Sequence, residues 1–284
     1  PSGYGVPLIL HYDPEFLPTR DSISTVFDQI ISDFTTALNT APDYSNSVTL
    51  SKYSIEGLLA RAYLYKGDYT NAKAKAVDVI ENGGFKLDST VATYSAFWHN
   101  PGVQTNKEEV MFEIDENPVN NNSSDDMGGM FYGGYTDIYA TGQVVSLYRS
   151  TDIRKALVKD STTKSGAPAY MVYKYINDQS SDKDNQKVIR LSEMYLIAAE
   201  ASLGLSNTSD AQGYLNKLMK YREPSFAGYT STGATLLNDI VTERRKELAF
   251  EGDRFYDLNR LKLDMNRISL SSGSIPGPVD VPYS

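Results

Sequence analysis

Apolar positions recur at helical spacing in several parts of the chain. Between Ser54 and Gly84, Ile55, Leu58, Leu59, Ala62, Tyr63 and Tyr65 share one face. Gly67-Asp68-Tyr69 interrupts the run, and Ala72, Ala76, Val79 and Ile80 resume it. Steps of three and four mark an amphipathic helix, so this segment predicts two helices joined by a tight turn. A second hairpin is predicted from Leu191 to Arg222. Its first helix is alanine-rich (Ala198, Ala199, Ala201), Gly204 suits its end, and Ser209 with Gln212 forms a capping-box pattern opening the next. Thr25 to Pro42 predicts one further helix through Val26, Ile30, Phe34, Ala37 and Leu38, whose partner would lie upstream of Pro1.

The pattern changes between the hairpins. Val110, Phe112 and Ile114 alternate with Glu109, Met111 and Glu113, which predicts a short half-exposed strand. Ala169 to Ile176 reads as another, with Tyr173 and Tyr175 on one face. The stretch NPVNNNSSDDMGGMFYGGYTD is loop material, where binding residues concentrate. Ser271 to Ser284 is a Pro/Gly/Ser tail without periodicity.

The Gly-Asp-Tyr turn and the small residues Ala60 and Ala72 resemble a tetratricopeptide hairpin, whose repeat is ~34 residues. The expected architecture is therefore mainly α, a single domain over residues 1–284. Tetratricopeptide-like helices would occupy about 22–84 and 190–262, with an irregular loop-rich insert of a few short β-strands at about 85–189.

Composition narrows the chemistry. Apolar residues are 40% and charged residues 22% of 284, a globular balance. A net charge of −9 argues against a nucleic-acid partner, which wants a basic surface. Zero cysteines remove disulfides, thiol catalysis and thiolate zinc sites, and two histidines, His11 and His99, leave little for histidine-based metal or triad chemistry. No metal or cofactor is expected. Tyrosine is abundant, 21 against 10 Phe and 1 Trp. Its apolar body and polar tip suit both helix contacts and recognition of polar rings.

The most distinctive stretch is LLNDIVTERRKELAFEGDRFYDLNRLK, Leu236 to Lys262. Leu237, Val241, Leu248 and Phe255 trace one stripe, and Arg244, Glu247, Glu251, Arg254, Asp257 and Arg260 follow at steps of three or four. Three readings compete: a solvated charged face, an acid–base pair of Glu247 and Glu251, and a partly buried ion network. Nearby arginines depress a carboxylate pKa, the opposite of what a general acid needs. We take the third reading, as architecture, with Gly252 allowing close approach or a break before Asp253.

ERRKELAFEGDRFYDLNR resembles the C-terminal signature of the SusD/RagB family of surface nutrient-binding lipoproteins. Further matches follow in order: Tyr4–Leu10, the helix from Arg20 to Phe34, Leu58–Ala72, the Glu109–Ile114 strand, Asp152-Ile153-Arg154, Tyr173-Lys174-Tyr175 and Arg190–Ala201. The loop at 117–140 is not covered. The resemblance implies a non-catalytic protein that captures extracellular glycans and passes them to a TonB-dependent, SusC-like outer-membrane transporter. It also implies a core fragment, anchored to the outer face of the outer membrane through a lipidated N-terminal cysteine absent from this chain.

Ligand-contacting aromatics in that family often lie between the third and fourth tetratricopeptide units, a segment that here holds Phe97, His99 and Tyr139 beside the expected contacts Tyr94, Trp98, Asn100, Phe131, Tyr132 and Tyr135. Trp98 has a competing reading as an anchor that packs the insert onto the helices. Phe131, Tyr132 and Tyr135 lie among glycines in a polar loop, which favours a surface platform. Two rival functions remain: a tetratricopeptide adaptor gripping a protein, and a glycosidase using Glu113, Asp115 or Glu116. Asp125-Asp126 with Asn120–Asn122 lacks the repeating pattern of a calcium loop.

Overall fold

A computed structural model describes residues 3–268 and 278–281. Helix α1 (Ile23–Leu38) opens on Ser22, whose hydroxyl accepts from Thr25 N, and lies against α2 (Lys52–Lys66). It ends four residues before the expected Pro42.

Helix α2 starts with a reciprocal cap between Ser51 and Ser54 and stops at Gly67, whose φ of 85° is costly for any side chain with a Cβ. Asp68 then caps α3 (Tyr69–Asn82). Ala60, Ala72 and Ala76 are fully buried where these helices meet, as the alanine pattern implied.

The insert begins with α4 (Val91–His99) and strand β1 (Val110–Ile114). Two short helices, α5 (Met127–Phe131) and α6 (Gly142–Val145), lead to strands β2 (Val158–Thr162) and β3 (Pro168–Val172), an antiparallel pair. Strand β4 (Gln186–Arg190) pairs antiparallel with β1 across a bulge and runs straight into α7 (Leu191–Gly204). The expected second strand stops at Val172. From Tyr173 the chain turns inward, because Lys174 and Tyr175 are buried and bond to Ala249 O and Phe250 O.

Helix α7 is the central rod, packing on α2, α3, α8 (Thr208–Arg222) and α9 (Gly233–Glu247). Its alanines are fully buried, and Gly204 permits close approach: a Cβ there would lie 2.4 Å from the Tyr69 ring. The cap of α8 is Asn207, which accepts from Asp210 N, rather than the expected Ser209. Asn207 prevails because its amide also donates to the Asp210 carboxylate.

The charged stretch forms two helices, α9 and α10 (Asp253–Leu261), broken where Phe250 and Gly252 adopt positive φ. Its buried stripe is Leu236, Ile240, Glu243, Arg244 and Glu247, one position from the expected Leu237 and Val241, and Phe255 is 57% exposed. The stripe shifted because the charged residues form the inner face. Strand β5 (Met265–Ile268) pairs with β6 (Pro278–Val281). The rest of the expected tail lies outside the described residues. No helix among the described residues is long and apolar enough to cross a membrane.

Candidate functional site

Glu247 sits at the centre of a buried lattice of charge. Its Oε1 accepts from Arg190 Nη1 at 3.1 Å and Arg222 Nη2 at 2.8 Å. Its Oε2 accepts from Arg222 Nε at 3.0 Å and Arg154 Nη1 at 3.2 Å. Arg190 and Arg222 also share Glu109, so α9, α8, the start of α7 and β1 are joined through two acids and two guanidiniums. Arg154 reaches Asp152 and Glu243, and Lys246 joins the same two acids.

The lattice continues into α10. Glu251 accepts from Arg190 at 2.8 Å and Lys174 at 2.7 Å. Arg244 bonds both oxygens of Asp257 and reaches Glu193, which also binds Arg61, while Arg260 joins Asp257 to Glu200.

Burial works against ionisation of Glu247, but Arg222, Arg190 and Arg154 outweigh it and hold its carboxyl well below the usual range. Glu193 is likewise buried, and Arg61 and Arg244 bring it down to about 2. Acids in this state do not donate protons near neutrality, so the Glu247–Glu251 pair is built for structure.

Arg254 departs from expectation. Among the described residues it has no ion pair, and its Nη1 is buried without a hydrogen-bond partner. It follows the break at Gly252, and the nearby Asp257 oxygens are taken by Arg244 and Arg260.

A layer of aromatic rings covers one side of the lattice. Trp98 is 1% exposed and meets Tyr94, Phe97 and Tyr175 edge-on at centroid distances of 6.5, 5.4 and 5.9 Å. Lys174 Nζ lies 3.7 Å from the Trp98 ring centroid and the Arg190 guanidinium 5.0 Å. Arg222 lies 4.6 Å from the centroid of Tyr94, itself 1% exposed. Phe131, 8% exposed, stacks on Tyr175. These rings give the buried cations an electron-rich face, worth about 2 kcal/mol or more per contact when desolvated. Tyr94, Trp98 and Phe131 therefore present almost no surface to a ligand, which corrects the expectation that they touch one. Helical spacing in α4 carries Tyr94, Phe97 and Trp98 into the core, and Phe131 follows as α5 packs down.

Outside this layer lies a second group of rings. Tyr132 and Tyr173 meet edge-on at 5.2 Å, and His99 meets Tyr173 at 5.4 Å. Lys159 Nζ stands 3.2 Å from the Tyr173 ring centroid. All three rings are half-buried, and Asn100 beside them is exposed. Hydrogen bonding to Tyr173 pushes the Tyr132 phenol above its usual pKa.

The backbone here is tied down. His99 Nε2 donates to Tyr173 O at 2.9 Å, and Asn177 Nδ2 bonds His99 O and Asp184. Asp126 caps α5, and Gly129 O accepts from Tyr135 N and Thr136 N. Tyr135 is 48% exposed, but the described ring contacts of the patch do not include it.

The patch thus combines Tyr132, expected from sequence, with Tyr173, His99 and Lys159, and the exposed Asn100 follows His99 in the chain, its Oδ1 accepting from Gly102 N. Tyr173 sat on the expected strand face, but nothing in the sequence joined it to Tyr132.

A cleft of about 650 Å³ is lined by Phe27, Arg61, Tyr65, Asp253 and Tyr256, and also by Tyr175 of the aromatic layer. Burial and neighbouring Glu193 raise the Asp253 carboxyl to about 6. Of the acids named for hydrolysis, Glu113 is buried and accepts from Ser47, Glu116 is buried and accepts from Gln186, and Asp115 is held by Asn117. Among the described residues, no two of these acids line a common cleft.

Residues 65–271 match the model of the SusD family. The SusD-like protein P2 of Formosa agariphila is 28% identical over 304 residues, covering 89% of this chain and 59% of that protein. A SusD superfamily protein of Bacteroides vulgatus has a solved structure that superposes with a TM-score of 0.84 at 29% identity, over 97% of this chain and 64% of that one. The surface glycan-binding protein A of Bacteroides uniformis shares the fold at a TM-score of 0.70 and 19% identity, over 90% and 61%. The chain spans less than two thirds of the length of each of these proteins. With its helical hairpins, its short two-stranded sheets and the family signature folded into one ion lattice, the chain belongs to the SusD family.

Proposed function

We propose that this protein binds extracellular glycans without cleaving them, at the outer face of the bacterial outer membrane, and hands them to a TonB-dependent transporter. Lipid anchoring through a segment outside this sequence belongs to the same reading. The observation that carries glycan binding is the patch of Tyr132, Tyr173, His99 and Asn100 on a braced backbone, in a chain of the SusD family. A sugar ring has C–H groups on one face and hydroxyls at its edge. The Tyr132 ring and the face of Tyr173 away from Lys159 cover the first, while phenol, imidazole and amide groups pair with the second. Each aromatic contact contributes about 0.5–1.5 kcal/mol beyond area burial, by analogy with aromatic pairs. Single-ring affinity is then modest, and repeated engagement of a polymer raises it.

Affinity electrophoresis and calorimetry over a panel of polysaccharides test this reading on the chain and on the longer protein. Retention of at least one glycan, weakened in Tyr132→Ala/Tyr173→Ala, is expected. No retention by either form ends the glycan reading, and undiminished binding by the double variant moves the site elsewhere, the cleft at Tyr65 and Tyr256 being the next surface to test. Co-purification with the transporter tests the partner separately.

A further inference from the structure

The stretch from α9 to α10 carries four arginines of unequal fate. Arg244 and Arg260 are ion-paired with Glu193, Asp257 and Glu200, although Arg244 Nη1 is itself buried without a hydrogen-bond partner among the described residues. Arg245 and Arg254 have no ion pair or hydrogen-bonded acid among the described residues, and both line one pocket of about 500 Å³. Gln143, Ser146, Phe255, Leu258 and Asp264 complete it. Burial and the positive charge of Arg245 lower the Arg254 guanidinium pKa, a sign of like charges held together. Among the described lining residues two guanidiniums stand against one carboxylate, Asp264, with Asp257 acting on Arg254 from beside the pocket, on a chain whose net charge is −9.

We propose that the Arg245–Arg254 pocket receives the sulfate or carboxylate group of an acidic saccharide, with the exposed Phe255 ring covering the sugar that carries it. The proposal rests on the glycan reading for the saccharide, and on the pocket alone for the anion. Guanidinium forks match oxyanions by paired, charge-assisted hydrogen bonds, and an anion between them relieves their mutual repulsion. The buried Nη1 of Arg254, without a partner among the described residues, is the donor in waiting. Phe255 is 57% exposed beside it, so charge and ring stand together as an acidic sugar requires. The site is separate from the Tyr132–Tyr173 patch, which shares none of its residues.

The test has two arms, each run on wild type, Arg245→Gln/Arg254→Gln and the milder Arg245→Gln. In the first, melting is followed in sodium sulfate and in sodium chloride of equal ionic strength. Sulfate stabilises proteins generally by exclusion from their surface, so the quantity read is the extra shift of wild type over the variants. A larger sulfate shift in wild type, reduced in the single variant and lost in the double, is expected. In the second arm, retention is measured on sulfated and uronate polysaccharides and on a neutral polysaccharide. Acidic retention weakened about 10-fold or more in the double variant, with neutral retention unchanged, is the expected result. Equal sulfate shifts in wild type and variants overturn the anion pocket. A sulfate shift that depends on the pair, with acidic and neutral glycans both unbound, overturns the saccharide and the glycan reading while leaving the anion site. Acidic retention that ignores both arginines overturns the saccharide assignment alone.

Discussion

Trp98 and His99 are adjacent in sequence and stand on opposite sides of a boundary. Trp98 is sealed against Lys174 and Arg190, where its ring stabilises buried charge. His99 meets Tyr173 at the surface, where the rings are held and half-buried, with Lys159 over one face of Tyr173. The same contrast separates Phe131 from Tyr132. One layer of aromatics is sealed into the scaffold and the next reaches the surface, where we propose that a glycan meets it, so residue type alone does not assign a role. Access to solvent does.

The largest effect is expected beneath both layers. Replacing Glu247 by Ala leaves Arg154, Arg190 and Arg222 short of a shared acid, and removal of one partner from a buried network costs about 3–5 kcal/mol. Urea unfolding followed by Trp98 fluorescence would show a midpoint far below wild type. A shift within the range of a surface substitution would mean the lattice is not what holds the hairpins together.

Trp98→Ala is expected to cost a similar ~3–5 kcal/mol, as for other buried aromatics. Trp98→Phe should restore much of it. If instead Trp98→Ala leaves the melting temperature in place and abolishes glycan retention, the boundary drawn here is in the wrong place.

Acid sharpens the comparison. Glu193 sits at about 2 against an ordinary 4.5, so its contribution to stability is complete above about 4.5 and is lost as pH falls toward 2. Asp253 runs the other way. Raised to about 6 from 3.8, it favours the fold when protonated, fully below 3.8, and that support is withdrawn as pH rises through about 6. Asp253→Asn should therefore gain stability over wild type at pH 7 and lose that gain by pH 4. Parallel urea midpoints across this range would contradict the assignment.

At the surface, effects move from stability to binding. Tyr132→Ala/Tyr173→Ala should weaken glycan binding by about 1–3 kcal/mol, roughly 5- to 150-fold, at two rings of about 0.5–1.5 kcal/mol each. The smallest effect is expected for Tyr135→Ala, within about 0.5 kcal/mol in stability, as for surface positions generally.

The hairpins were legible because their signals are local. Alanine spacing, Gly67 and the capping residues all act within a few positions, and α2, α3, α7 and α8 form where those signals fall. The charged stretch was half legible. Arg244, Glu247, Glu251, Asp257 and Arg260 are its network members, but Glu109, Arg154, Arg190, Arg222 and Glu193 come from distant elements and only the fold brings them together.

Alternation misled in β1, where Glu113 is buried and Ile114 is 51% exposed. The period of two was correct at those positions, but the buried face is polar because Lys187 and Ser47 receive Glu113. The site aromatics were the least legible. Tyr132 meets Tyr173 across some forty residues of intervening chain, and no spacing rule records such a meeting.

Calorimetric titration of the best-retained polysaccharide into wild type and Tyr132→Ala/Tyr173→Ala, with melting curves for both, tests the division most directly. A nearly unchanged melting temperature and an affinity lower by roughly 5- to 150-fold are expected. Equal affinities for the two proteins would contradict it.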